Sequence, residues 1–318
     1  MIQNPRRKLA QCIIGLLISI SPTYSQQIFG TIYGTVTDAG GGSIPNAKVI
    51  ISDEGKGCIV EVQTNESGNY RRERLLPGSY TVTVEQAGFM KSILKQVAVN
   101  VDASARVDIV MQVGQVSQEI EVSSAAPTLQ TDRADVATVF SSKQLVDLPR
   151  FDRNFQSFLL LTPGTSQVGW NHASSENPQG SVQIQVGGQH FSATGYQLDG
   201  TDNQDPILGI IVINPTIDSV GEAKVSAQNY DAEFGFVGAG LVNASTKSGT
   251  NAIHGSAFEY LRVNTPGFQS FARNPFNGAE SAANGGVPPV KWNQFGGSVG
   301  GAVIKNKLFF FGDAQITR

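Results

Sequence analysis

Cysteine, histidine, charge and long apolar runs are all scarce in this 318-residue chain, and each shortage removes a class of function. There are two cysteines. Cys12 opens an apolar run near the N-terminus, and Cys58 has no Cys or His at metal-ligand spacing. No internal disulfide or thiolate metal site is expected, and Cys58 reads as a buried or half-buried strand residue. The three histidines, His172, His190 and His254, show no HExxH or two-to-four-residue spacing, so no metal centre is expected from them. Charged residues are 15% of the chain. The first 25 residues carry Arg6, Arg7 and Lys8 and no acid, leaving 20 basic against 26 acidic residues, or −6, beyond them. A chain so balanced lacks the electrostatic footprint of a partner for nucleic acid or anionic membranes.

The apolar run itself is short: residues 12–20 read CIIGLLISI. A spanning helix needs roughly 20 such residues, so this is no anchor. The basic residues before it, Pro22 behind it and the small Ser25 form a secretory signal over residues 1–25, with mature protein beginning near Gln26.

Catalytic patterns fare no better. Gly296-Gly297-Ser298-Val299-Gly300 satisfies G-x-S-x-G, but a nucleophile elbow needs a helix after it and a histidine later in the chain. Here a strand follows, and the last histidine is His254. Asp199, Asp202, Asn203 and Asp205 crowd within seven residues, yet Gln204 stands where a calcium loop needs glycine and no glutamate closes it, so solvated turn acids are expected. Residues 235–240 (GFVGAG) miss the G-x-G-x-x-G spacing and precede a strand, which argues for a turn. No catalytic residue, metal or cofactor is assigned, and the chain is expected not to be an enzyme.

What is plentiful is glycine, 35 residues, and alternation. Tyr80, Val82 and Val84 alternate with threonines, Val97, Val99 and Val101 with Ala98, Asn100 and Asp102, and Val107, Ile109, Met111 and Val113 make a further strand with Arg106, Asp108 and Gln112 outward. Turn clusters such as Leu76-Pro77-Gly78 separate the runs. This predicts a β-sandwich of about seven strands over residues 26–113. Residues 114–127 read as a linker, extended (GQVSQEIEV) and then small and Pro-terminated.

Residues 128–251 mix helix and strand. Ser141 and Gln144 form a capping box for a helix over 143–148. Asn154 opens a second helix with Phe155, Phe158 and Leu159 on one side, stopped by Thr162-Pro163-Gly164. Residues 181–186 (SVQIQV) alternate as a strand, and Pro215 is placed to start a third short helix carrying Ile217 and Val220. Beyond, residues 253–263 read as a strand, 264–290 as a long Gly/Pro/Asn-rich loop, 292–304 as a strand with Phe295, Val299 and Val303 opposite Gln294, Ser298 and Ala302, and 308–317 as another after the turn 305–307. A long loop at one end and a short turn at the other is the habit of outer-membrane barrel strands.

Two resemblances rest on quoted residues. Gly34-Thr35-Val36-Thr37-Asp38, Pro45-Asn46-Ala47-Lys48-Val49, residues 64–70 (TNESGNY), Leu76-Pro77-Gly78-Ser79-Tyr80 and Gly88-Phe89 resemble a carboxypeptidase regulatory-like domain, a transthyretin-like accessory sandwich with no catalytic site. Arg71 departs from it, where that family usually places an apolar residue. Residues 196–200 (YQLDG), 232–235 (AEFG), 246–251 (TKSGTN), 254–262 (HGSAFEYLR) and 293–301 (NQFGGSVGG) resemble the plug and barrel opening of TonB-dependent transporters, most closely the Oar-like group. The implied fold is mainly β: sandwich (26–113), linker (114–127), α/β plug (128–251) and the first strands of a transmembrane β-barrel (252–318), truncated because three strands cannot close. The resemblance implies the outer membrane, with sandwich and plug on the periplasmic side, TonB as the energy-transducing partner, and an imported or exported substrate such as a glycan or peptide. Glu119, Ile120, Glu121, Val122 and Ser123 resemble the TonB box, a segment that adds as a strand to a partner's sheet. The same five residues also suit the last strand of the sandwich or plain linker. A non-transporting module that holds glycan or protein is the alternative function.

Overall fold

The computed structural model describes residues 28–114, 119–123, 134–148, 153–168, 181–263 and 291–318. The secretory signal, His172 and the loop 264–290 lie outside them.

The first nine strands are β1 (Gly30–Asp38), β2 (Lys48–Asp53), β3 (Ile59–Gln63), β4 (Asn69–Leu75), β5 (Gly78–Glu85), β6 (Lys91–Val99), β7 (Ser104–Arg106), β8 (Ile109–Met111) and β9 (Glu119–Ser123). One sheet centres on β1, flanked by antiparallel β4 and by parallel β7 and β8; the other runs β3-β2-β5-β6-β9. The alternation seen in the sequence is what joins them: Ile32 and Val36 of β1, Val49 and Ile51 of β2, and Val82 and Val84 of β5 are fully buried and share one core. Arg71, the departure from the family pattern, points out of this core and pairs with Glu73.

Of the strand expected from Val107 to Val113 only β8, Ile109–Met111, forms, and β7 (Ser104–Arg106) precedes it. Val107 runs beside β1, its N–H donating to the Tyr33 carbonyl, and the Asp108 side chain accepts the Thr35 N–H. Gly34 permits the close approach, since a Cβ there would sit 1.9 Å from the Val107 carbonyl oxygen. Val107, Ile109 and Met111 keep their alternation and are buried, but Val113 lies beyond β8 and is 79% exposed. Cys58 is a second correction: it is exposed, just ahead of β3, because the β2–β3 turn carries it out of the sheet.

A mixed sheet comes next. Its strands are β10 (Val136–Ser141), β13 (Gly195–Leu198), β14 (Thr201–Asp202), β15 (Val220–Gln228) and β16 (Leu241–Thr246), in the order β10-β15-β16-β13-β14, with β13 and β16 parallel. Between them, β11 (Thr165–Gln167) pairs with β12 (Ile184–Val186). The capping box at Ser141 starts α1 (Ser142–Asp147) as expected. Asn154 caps a 3-10 helix over Phe155–Leu161 whose Phe155, Phe158 and Leu159 face the core. Residues 181–183 are buried but lie outside β12, so that strand is shorter than its alternation suggested. Pro215 starts no helix. Thr216 accepts from Ser219 and Val220 in one turn that is not continued, because Val220 already begins β15. Ile217 and Val220 are nevertheless both core residues.

The last three strands, β17 (His254–Val263), β18 (Lys291–Ile304) and β19 (Leu308–Thr317), form an antiparallel meander. Register sets Ser256 against Ser298 and Ser298 against Asp313. That row faces the mixed sheet. Val299, Phe310 and Ile316 are exposed on the opposite face, the apolar-out arrangement of a lipid-facing wall.

Candidate coupling interface

The mixed sheet touches both neighbours through side chains that only the fold brings together. β15 lies between β10 and β16, and most of its residues are buried on both faces. Charge in such a strand must be paired. Lys224 is 2% exposed, with its Nζ 2.6 Å from Asp135 Oδ2, 3.1 Å from Asp102 Oδ2 and 2.9 Å from the Asp102 carbonyl oxygen. Asp102 belongs to the sandwich, in the turn after β6, and its φ of 48° aims carbonyl and carboxylate at the same ammonium. Two residues before Lys224 on the same face, Glu222 accepts the Val101 N–H at 2.8 Å. Burial pushes the Glu222 carboxyl up to about 7, against the opposing pull of the Val101 N–H and the Lys224 charge.

A second contact involves the β2–β3 turn. The Asn251 N–H and Nδ2 donate to the Gly55 and Lys56 carbonyls at 3.0 and 2.8 Å. Its Oδ1 accepts the Asn306 N–H at 2.9 Å, and its Nδ2 also meets Asn306 Oδ1 at 2.7 Å. One side chain thus ties the sandwich to the short turn between β18 and β19. Cys58 Sγ lies 3.7 Å from the Asn306 carbonyl oxygen in the same cluster.

The third contact joins the mixed sheet to the three-stranded wall. Arg153 Nη2 lies 2.6 Å from Asp218 Oδ2, both side chains 9% exposed, and its guanidinium stacks 3.9 Å over the Tyr260 ring and 5.0 Å over Phe258. Thr216 Oγ1 donates to Asp313 Oδ2 at 2.7 Å. Among the described residues these contacts are polar.

The residues singled out from the sequence are dispersed around this interface. Glu119–Ser123 forms β9, in parallel register with β6. Ser298 sits mid-strand in β18, its Oγ 2.9 Å from Ser256 Oγ, with strands on both sides and no strand–helix turn. Asp199 accepts the Thr246 N–H and hydroxyl, both at 2.8 Å, and Asp205 accepts from Ile207 and Leu208. Asp202 accepts the Gln204 N–H, and the buried Asn203 brackets the Ile213 backbone, so the four polar residues are turn fasteners pointing to different partners. His190 contacts Ser192, and His254 contacts the Ala252 carbonyl. Residues 235–240 form a turn into β16. On the sandwich, Tyr33, Gln63, Asn65, Arg71 and Arg106 line an open groove of about 430 Å³. Arg71 and Arg106 are already paired with Glu73 and Asp108.

Sequence reasoning missed Asp102, Asp135, Arg153, Asp218, Glu222, Lys224 and Asn251. One signal was available: Glu222 and Lys224 interrupt an otherwise apolar and small strand, VGEAKVSAQ.

Comparison with known proteins agrees with this architecture. Residues 31–112 match the carboxypeptidase regulatory-like domain, and residues 245–318 match the outer membrane beta barrel domain. The chain is similar to the TonB-dependent transporter Oar of Myxococcus xanthus, 27% identical over 310 residues, covering 93% of this chain and 28% of that protein. It therefore spans somewhat over a quarter of the length of that relative. Among solved structures, the siderophore receptor PirA from Acinetobacter baumannii aligns at a TM-score of 0.42 and 19% identity, over 57% of this chain and 24% of its own. A catechol 1,2-dioxygenase from Acinetobacter aligns at 0.25 and 14%, over 32% of this chain and 60% of its own. Similarity at these two levels carries no argument. The sequence matches bear out a mainly β outer-membrane protein similar to the TonB-dependent transporters.

Proposed function

We propose that this chain is the front end of a TonB-dependent outer-membrane receptor-transporter. In this reading residues 1–25 direct export, 26–113 are a periplasmic accessory sandwich, 114–127 carry the TonB box at Glu119–Ser123, 128–251 are the plug, and 252–318 begin the barrel. The plug fills the barrel and opens a path for a substrate when TonB, energised from the inner membrane, pulls the box. The chain performs no chemistry on that substrate.

The observation that carries the reading is the polar seam between plug and wall. Arg153 rests on Tyr260, and Thr216 donates to Asp313. Both barrel residues lie on the face turned from the exposed Val299, Phe310 and Ile316. A plug held by a few such contacts moves at modest cost, whereas an apolar core would not.

Thr216 reports that motion. In the full-length protein carrying Cys58→Ser, Thr216→Cys should be labelled by a membrane-impermeant maleimide in energised cells and several-fold less in cells lacking TonB. Equal labelling in both would remove the gating proposal and favour a module that binds glycan or protein without transporting it.

A further inference from the structure

β9 is more than a segment available to a partner. It is already a strand, laid parallel on β6 with Lys91 opposite Glu119, Ile93 opposite Glu121 and Lys95 opposite Ser123. In the sheet order β3-β2-β5-β6-β9 it is the terminal member, so among the described residues no strand covers its other edge. A strand presents main-chain N–H and C=O groups on both sides, and pairing with β6 uses one side only. The other edge is a template for strand addition.

We infer that the partner's strand adds to the free edge of β9 while β9 stays on β6, giving one continuous sheet across the two proteins. This rests on the reading of Glu119–Ser123 as the TonB box. Two observations favour addition in place over release. First, the five residues are already extended, so binding has no further ordering of them to offset. Release would instead discard the β6 pairing and expose the β6 edge. Second, β6 leads directly into the turn that holds the plug. Val99 ends β6, the Val101 N–H binds Glu222, and Asp102 binds Lys224 in β15. Load placed on a seated β9 passes through β6 and this turn into the central strand of the plug sheet. A released β9 would bypass that route.

Cross-linking β9 to β6 tests the inference. In the full chain with Cys58→Ser, Ile93→Cys with Glu121→Cys, or Lys95→Cys with Ser123→Cys, places a cysteine pair at register partners on β6 and β9. The probe is the purified periplasmic domain of TonB, and its Kd is measured before and after oxidation. At least one pair should close, and the closed form should bind within about threefold of the reduced form, since no ordering is removed or added. Loss of binding on oxidation, regained on reduction, would show that β9 must leave β6 and would overturn the inference. Failure of both pairs to close overturns it as well, because β9 then does not rest on β6. The underlying box reading fails differently: the Cys58→Ser parent then binds the domain no better than its Ile120→Pro variant, whatever the redox state.

Discussion

Lys224 grips Asp102 twice, donating to its carboxylate at 3.1 Å and to its carbonyl at 2.9 Å across 122 residues of sequence. One residue of the sandwich thereby fixes the position of one residue at the centre of the mixed sheet. A buried ion pair is weak evidence of net stability, because desolvation offsets most of the attraction. It does define a geometry, because the Asp102 carboxylate and carbonyl both meet the one ammonium.

Removing the cation should be costly. Lys224→Met keeps the stem but removes the buried cation from between Asp102 and Asp135, an expected loss of about 3–5 kcal/mol. Adding Asp102→Asn and Asp135→Asn to that variant should recover much of it. Denaturant midpoints of the three proteins check this; an unchanged midpoint for Lys224→Met alone would mean that the pair does not form in solution.

Glu222 gives the interface a pH dependence of calculable sign. Its carboxyl is pushed up to about 7 from the ordinary 4.5, first by burial. Between those values the folded state holds more protons than the unfolded state, so its contribution is full below about pH 4.5 and is lost as pH rises through 7. The limiting change is about 3 kcal/mol. Glu222→Gln still offers an oxygen to the Val101 N–H and does not titrate. It should melt above the parent at pH 8 and lose this slope; parallel pH profiles for the two would refute the assignment.

Gly34 is the point where β1 admits the close approach of Val107. Gly34→Ala sets a Cβ 1.9 Å from a backbone oxygen, so β1 or the segment through Val107 must shift. Overpacking of this kind costs typically about 1–3 kcal/mol. Gly78→Ala meets nothing nearer than 3.8 Å and should be close to neutral. Thermal denaturation of the pair separates crowding at Gly34 from a general intolerance of side chains in the sandwich.

Much of the fold was legible because alternation and turn chemistry are local. Val82, Val84, Ile109 and Met111 announce their burial by period two, Ser141 announces a cap by its spacing to Gln144, and Asn154 one by the apolar Phe155, Phe158 and Leu159 that follow it. Legibility failed where a distant segment decided the outcome. Val113 continues the alternation of Ile109 and Met111 but is 79% exposed, and the ladder to β1 is interrupted at Val107 and Asp108, where the Asp108 side chain takes the Thr35 N–H. Cys58 lies exposed in a turn whose contact is Asn306, 248 residues away.

The sequence by itself determined the mainly β class, the sandwich core, the inward and outward faces of the final strands and the resemblance to outer-membrane transporters. Each rests on neighbours a few positions apart or on motifs in order. Only the tertiary structure decided that Asp102, Asp135, Glu222 and Lys224 converge, that Arg153 stacks on Tyr260, and that Glu119–Ser123 pairs with β6. A buried charge is tolerable only where a partner is delivered to it, and delivery across some hundred residues is a property of the folded chain. In the sequence, Lys224 is one lysine among many; in the fold it is, with Glu222, a residue at which sandwich and mixed sheet meet.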